Sequence, residues 1–458
     1  MSRTITWRRK AAGLTAGVAV AALALTACSG GGGTDGGGET TGPVSQADID
    51  EAMKTPTKLT FWTWVPDIEK EVKLFEDAYP AIDVEVVNVG QGADHYQKLR
   101  SALKAGEGAP DVAQVEFQHL SSFALGDNLL DLTPYMPEDI GDDYVPWVWE
   151  QVKSTDGEKV WGVPQDSGPM GLLYREDLLS QHGIEVPTTW DAFAQAATDL
   201  HAADPNLYLT NIPGNDMGQF TALLWQAGAR PFGWDGKETV TIDLSSDEAT
   251  QVAQYWGDLI ASDAVSVDPD FTDAWYQGLA NGKYASWVAA AWGPVFLQGT
   301  AANTSGLWRA STIPQWEDGQ NISANWGGSS DAVLASTKNP IAASQLALWI
   351  NHDKASAMTM ATEQFLFPTT NEVLEDPQFA DQQAEFYGGQ EVNKLFAEIS
   401  STVEPDFGWL PFMDYAYSAG EETVGKAIAD KTDLVEAMQA WQDKLTTYAE
   451  QQGFTVAD

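Results

Sequence analysis

The side chains able to do chemistry point away from catalysis. His95, His119, His182, His201 and His352 show neither HExxH spacing nor a partner cluster, so they read as surface or capping residues, not zinc ligands. No phosphate loop and no dinucleotide fingerprint occurs, and Gly327-Gly328 is followed by Ser329-Ser330-Asp331, which spoils a nucleophile elbow. Cys28 is the only cysteine, which excludes an intrachain disulfide and a multi-cysteine metal site. Asp268 with Asp270, and Asp142 with Asp143, lack calcium-loop spacing and read as solvated turns. Among 66 acidic residues, a glycosidase pair, which needs only two carboxylates about 5 to 9.5 Å apart, stays open as an alternative. The 19 tryptophans are unusually many and need explaining, core packing being the ordinary reading of any one of them.

The elements that would position these groups begin at Lys58. Leu59, Phe61 and Thr63 alternate with Trp62 and Trp64, which predicts a strand. Ile68, Val72, Phe75 and Tyr79 then follow helical spacing up to Pro80. A strand at Ile82 to Val87, a helix through Tyr96, Leu99 and Leu103 ending at Gly106, and a strand at Asp111 to Phe117 complete a β-α-β-α-β unit, hence a parallel sheet. Thr188 with Asp191, and Ser245 with Glu248, have capping-box spacing before long helices. Leu434, Val435, Met438, Trp441, Leu445 and Tyr448 form the apolar stripe of a last helix.

The N-terminus reads as a leader. Arg3, Arg8, Arg9 and Lys10 precede an apolar run from Ala11 to Ala27, too short for a membrane span. The run ends in Leu25-Thr26-Ala27-Cys28, which looks like a bacterial lipobox, so residues 1–27 are expected to be removed and Cys28 to carry acyl chains. Residues 28–57, with glycine tracts and scattered acids, are expected to be a flexible tether. A formal charge of −42 disfavours nucleic acid and anionic surfaces as partners. The roughly 400 remaining residues exceed what a single core supports, so two lobes are expected.

The lipobox, the tether, the opening strand KLTFWTW and the segments YQKLRSALKAGEGAPDVAQVE, WGVPQDSGPMGLLYRED, VPTTWDAFAQAA and WGGSSDAVLAST together resemble the extracellular sugar-binding proteins of bacterial ABC importers, the maltose-binding-protein-like group of solute-binding family 1. The resemblance runs through essentially the whole chain. It implies an α/β, two-lobed periplasmic-binding-protein-like fold with a hinge and an inter-lobe cleft. The first lobe would comprise 58–166 and 313–367, the second 167–312 and 368–458. It also implies a neutral oligosaccharide as ligand, ABC permease subunits as partners, membrane attachment through Cys28, a monomer on the extracellular face of the cytoplasmic membrane, and neither cofactor, metal nor catalytic residue.

Loops matching the family's pocket segments carry Trp64, Trp292 and Trp409. Trp225 lies in helix-like LLWQAG and is a weaker candidate, while Trp256, Trp349 and Trp441 sit on helical stripes and read as core. Polar partners are expected from Asp67, Gln91, Glu116, Gln165 and Asp166, with Gly327, Gly328 and Ser329 offering backbone or hydroxyl groups. A carboxylate accepts from two vicinal hydroxyls at once, which suits Glu116 and Asp166. Asp67 serves equally as a helix N-terminal acid. A cell-surface glycoside hydrolase or lyase, or a binding protein for a non-sugar solute such as a polyol or peptide, are the competing readings.

Overall fold

The computed structural model describes residues 42–457. The expected leader, Cys28 and the first part of the tether lie outside them. Among the described residues no helix is long and apolar enough to cross a membrane. The tether is shorter than expected: Gln46–Ala52 forms a helix capped by Ser45 and packs on the helix Pro340–His352, with Met53 buried behind it.

The first lobe is built on five strands in the order β2-β1-β3-β10-β4. They are β1 (Thr57–Trp62), β2 (Ile82–Val87), β3 (Val112–Glu116), β4 (Val163–Asp166) and β10 (Ser329–Val333). β1 pairs in parallel with β2 and β3, as the alternating pattern and intervening helices require. The sheet is nevertheless mixed, because β10 enters antiparallel between β3 and β4. Leu59 and Phe61 point inward with Val112, Ala113 and Val115 to form this lobe's core.

The second lobe centres on an antiparallel sheet of β5 (Met170–Arg175), β8 (Ser286–Ala290) and β9 (Trp308–Thr312), in the order β8-β5-β9. A small sheet joins β6 (Phe232–Trp234), β7 (Thr239–Ile242) and β11 (Thr455–Val456). The C-terminal helix Leu434–Gln452 packs its buried stripe on the helix Asp247–Ala261. Both capping-box readings are off by one residue. Thr189 accepts from Ala192 N and Ser246 from Ala249 N, because Ser245 is drawn into a turn on Asp243.

Three segments run side by side where the lobes meet. The chain leaves β4 for β5 through Ser167 to Pro169, and Pro169 bridges Asn325. Ser167 N donates to Phe367 O, and Trp326 N to Gly168 O. After Ile313 the chain stays on the second lobe, with Gln315 N donating to Thr188 O, and it enters the first sheet at Ser329. Such short crossovers, running side by side, form a hinge that bends with few backbone changes.

Candidate functional site

The first-lobe wall is assembled at the ends of β3, β4 and β10. Tyr96 OH donates to Glu116 Oε2 at 3.0 Å and accepts from Glu116 N at 3.0 Å, fixing a carboxylate whose side chain is 26% exposed. Asp166 accepts from Ser329 N at 2.9 Å and from its Oγ at 2.5 Å. Burial raises the Asp166 carboxyl to about 6, against the pull of those Ser329 bonds. Gln165 is buried and donates to Asp331 at 3.2 Å, while Gln114 ties Ser329 to Thr63 and to Trp64 N. Gln165 and Ser329 therefore support the wall from behind, and Glu116 and Asp166 stand at its surface.

Gly327 and Gly328 hold the turn between them at φ 82° and 90°, a region that disfavours a Cβ. One on Gly328 would also lie 2.6 Å from the Phe117 ring. Trp64 packs edge-on against His95 at 4.9 Å and is half-buried. Asp67 lies apart from this network. Its side chain is 77% exposed and pairs with Lys70 at 3.9 Å, as a helix N-terminal acid does. Gln91 is exposed in the loop before Ala93–Ala105.

Opposite, the second lobe and the hinge present an aromatic wall. Trp292, at the start of the helix Gly293–Thr300, meets Trp326 at 4.7 Å and Phe271 at 6.0 Å between ring centroids. Phe296 extends the wall, 5.7 Å from Trp292. Trp292 donates to Trp326 O at 2.9 Å, which fixes the ring's tilt. Phe271 and Phe296 are two of only five large hydrophobic residues exposed among those described.

The remaining tryptophan candidates form a separate cluster. Trp225 is fully buried, stacked on Phe407 at 4.2 Å, and donates to Glu404 O. Its place is the core, because the helix Met217–Gln226 is buried on nearly every side. Trp409 is half-buried, 4.9 Å from Phe407, and donates to Gln151 at 2.6 Å. Trp256 and Trp441 are core, as expected.

Two readings of the titratable residues need correction. His95 and His119 are buried, not surface residues; burial lowers His95 to about 4. His119 lies between Glu116 Oε2 at 3.8 Å and Asp414 Oδ1 at 3.1 Å, and Arg100 pairs with the same Asp414. Burial opposes ionisation of Asp414, yet His119 and Arg100 hold it below the usual carboxylate range. Asp414 belongs to the helix Met413–Gly420 of the second lobe, so this trio spans the cleft. Asp270 is 2% exposed and no solvated turn; Asp268 is bonded to Lys283 and Tyr284.

Trp326, Phe271 and Asp216 were missed. Trp326 heads the segment WGGSSDAVLAST and carried a signal. Phe271 follows no apolar period, and Asp216 stands in no motif that singles it out.

A polar wall facing an aromatic one across a hinge is an arrangement for holding a ligand, and the sequence comparison agrees. The profile of the bacterial extracellular solute-binding proteins matches residues 62–356. The chain belongs to this family.

Within the bacterial extracellular solute-binding proteins, one solved structure is 30% identical, with TM-score 0.76, covering 88% of this chain and 99% of its own. It is the ABC transporter associated binding protein from B. animalis subsp. lactis Bl-04 in complex with β-1,6-galactobiose. The galacto-N-biose-/lacto-N-biose I-binding protein of the ABC transporter from Bifidobacterium longum, in complex with lacto-N-biose, is 25% identical, with TM-score 0.77 over 87% of this chain and 98% of its own. An arabinooligosaccharide-binding protein of Halalkalibacterium halodurans is 25% identical over 63% of this chain, and the match spans 66% of that relative's length.

Proposed function

We propose that this protein captures a neutral oligosaccharide of two or more rings outside the cell and delivers it to an ABC permease by closing its two lobes. The observation that carries this reading is the pairing of the Phe271, Trp292 and Trp326 wall with the Glu116 and Asp166 wall across the hinge. Rings cover the apolar sugar faces, and carboxylates accept from hydroxyls. Relatives crystallised with β-1,6-galactobiose and lacto-N-biose support the ligand class.

A ligand touching both walls favours the closed state over the open one, and only such differential contact shifts the equilibrium. The reading assigns no bond chemistry to the protein. Acylation of Cys28 would hold it at the membrane, since two or three chains anchor stably where one does not, and a monomer suffices because the walls come from one chain. Trp64, Gly327 and Gly328 complete the first-lobe side of the cleft.

Calorimetric titration and thermal shift against β-1,6-galactobiose, lacto-N-biose, lactose and arabinooligosaccharides test the proposal. Saturable binding with a raised Tm and unaltered sugar is expected. Shorter products would instead make the protein a glycoside hydrolase or lyase, and no response to any glycan would overturn the ligand class.

A further inference from the structure

Beside the aromatic wall the second lobe buries an acid, Asp270, that no capping bond or ion pair among the described residues accounts for. Asp270 is 2% exposed, and neither of its carboxylate oxygens meets a hydrogen-bond partner among the described residues. Asn215, beside it, is engaged with the Asp270 main chain, accepting from N at 3.2 Å and donating to O at 3.4 Å. A buried carboxylate without a partner costs several kcal/mol, so a fold that needed it only for packing would gain by losing it.

The neighbours of Asp270 belong to the cleft. Phe271, the next residue, holds a left-handed φ of 54°, a strained conformation for an aromatic residue, and its ring stands in the wall with Trp292 and Trp326. Asp216 caps the helix Met217–Gln226 through Oδ1, which accepts from Gln219 N at 2.9 Å. A Cβ on Gly218 would lie 3.0 Å from Asp216 Oδ1 and 3.1 Å from Trp326 Nε1, so the carboxylate and the indole edge share one small space that glycine keeps open. Trp326 Nε1 makes no hydrogen bond among the described residues.

We propose that Asp216 and Asp270 together form the second lobe's polar recognition element for the sugar, beside the Trp326 indole N–H. This rests on the oligosaccharide reading above and names the groups that would select among sugars.

The electrostatics say in what state the pair waits. Burial raises Asp216 to about 6, with Glu116 and Glu421 adding to the rise. Burial and then Asp216 raise Asp270 to about 8, against a weaker pull from the Asn215 amide, which lies beside the carboxyl without meeting hydrogen-bond geometry to it. The groups facing the pair are Glu116 from the first lobe, Glu421 from the helical segment Glu421–Gly425, and the Tyr276 and Tyr417 phenols, which burial and then the acids push upward. Asp268, two residues away, is taken up by Lys283. Near neutral pH the pair therefore holds one proton between two carboxyl groups. It can donate to one sugar oxygen and accept from another hydroxyl, as a neutral ligand requires. Below about 6 it loses the acceptor, and above about 8 the donor.

The test is titration calorimetry with β-1,6-galactobiose and lacto-N-biose from pH 5 to 9, on wild type, Asp270→Asn, Asp216→Asn and Trp292→Ala. Asparagine also caps helices, and circular dichroism confirms folding. The expected wild-type affinity peaks near pH 7 and falls at least threefold on either side. Each asparagine variant is expected to lose tenfold or more at pH 7, and Asp270→Asn to lose the alkaline limb. A flat wild-type profile overturns the proposal even if a variant fails to fold. So does an affinity that climbs steadily to pH 9, which would show that binding needs no proton on the pair. If Trp292→Ala weakens binding while both asparagine variants match wild type, the oligosaccharide reading stands and the acid pair falls. If no sugar binds wild type, the reading itself falls, and the pair's role with it.

Discussion

Two groups of aromatic rings in this protein are similar in composition and different in surroundings. Trp225, Phe407, Trp409 and Trp147 stack and cross at centroid distances of 4.2 to 6.3 Å. Their indole donors are spent on Glu404 O, Gln151 Oε1 and Ser400 O. Phe271, Trp292, Phe296 and Trp326 pack at similar distances. There, however, a strained backbone lifts Phe271 into the open, and one indole donor is left over. Ring count and spacing thus say nothing about function. What distinguishes the proposed binding wall is the pair of exposed rings, Phe271 and Phe296, the uncommitted Trp326 donor and a nearby carboxylate pair.

Truncation should separate the groups most sharply. Trp225→Ala leaves a large void in a fully buried site, and a loss of about 3 to 5 kcal/mol of stability is expected. Denaturant unfolding reads this directly, and sugar affinity of the folded fraction should hold. A variant as stable as wild type would dissolve the contrast. Trp292→Ala should do the reverse, with an affinity loss of roughly 1 to 3 kcal/mol, judged from aromatic stacking and burial. Calorimetry and a melting curve on the same sample check this, and a collapsed Tm would move Trp292 into the core.

The pH dependence of stability sharpens the contrast. Asp166, Asp216, Asp270 and Asp331 all titrate higher in the folded protein, to about 6, 6, 8 and 7, chiefly through burial. Their contribution to stability is full below the unfolded value of about 4 and is lost as the pH rises through 6 to 8. Scanning calorimetry should give a higher Tm at pH 5 than at pH 8.5, and the opposite order would contradict these environments. Asp270→Asn should flatten the upper part of that slope.

The smallest effect is expected at the cleft's mouth, from the half-exposed Arg100 and Asp414. Arg100→Ala should change stability by less than about 1 kcal/mol, yet shift the unliganded protein toward an open form. Small-angle scattering would record a larger radius of gyration, and an unchanged radius would show that the trio does not hold the lobes together.

The first lobe was legible because its strands alternate and its helices keep their spacing: Leu59, Phe61, Val72, Phe75 and Leu99 are all buried where the pattern put them. The antiparallel entry of β10 was not legible, since SSDAV carries no direction and pairs with β3 across more than two hundred residues. Of the candidate site, Glu116, Asp166 and Trp292 were named from loop position and motif, and their contact with a ligand is part of the proposal. Asp270 was lost because acids near Pro269 look like any surface turn, and only tertiary packing buries this one. Trp225 was misread because a helix buried on almost all sides has no polar face to mark the tryptophan as core.

The placement of β10 also governs how the molecule comes into being. It fills the gap between β3 and β4, pairing residues 215 positions apart. Until that late segment has been made, β3 keeps an unpaired edge, and the earlier strands cannot close into a finished sheet. Such non-local pairing slows folding and leaves a sticky edge available to neighbours. The part of the chain made late thus holds the piece that locks the part made first.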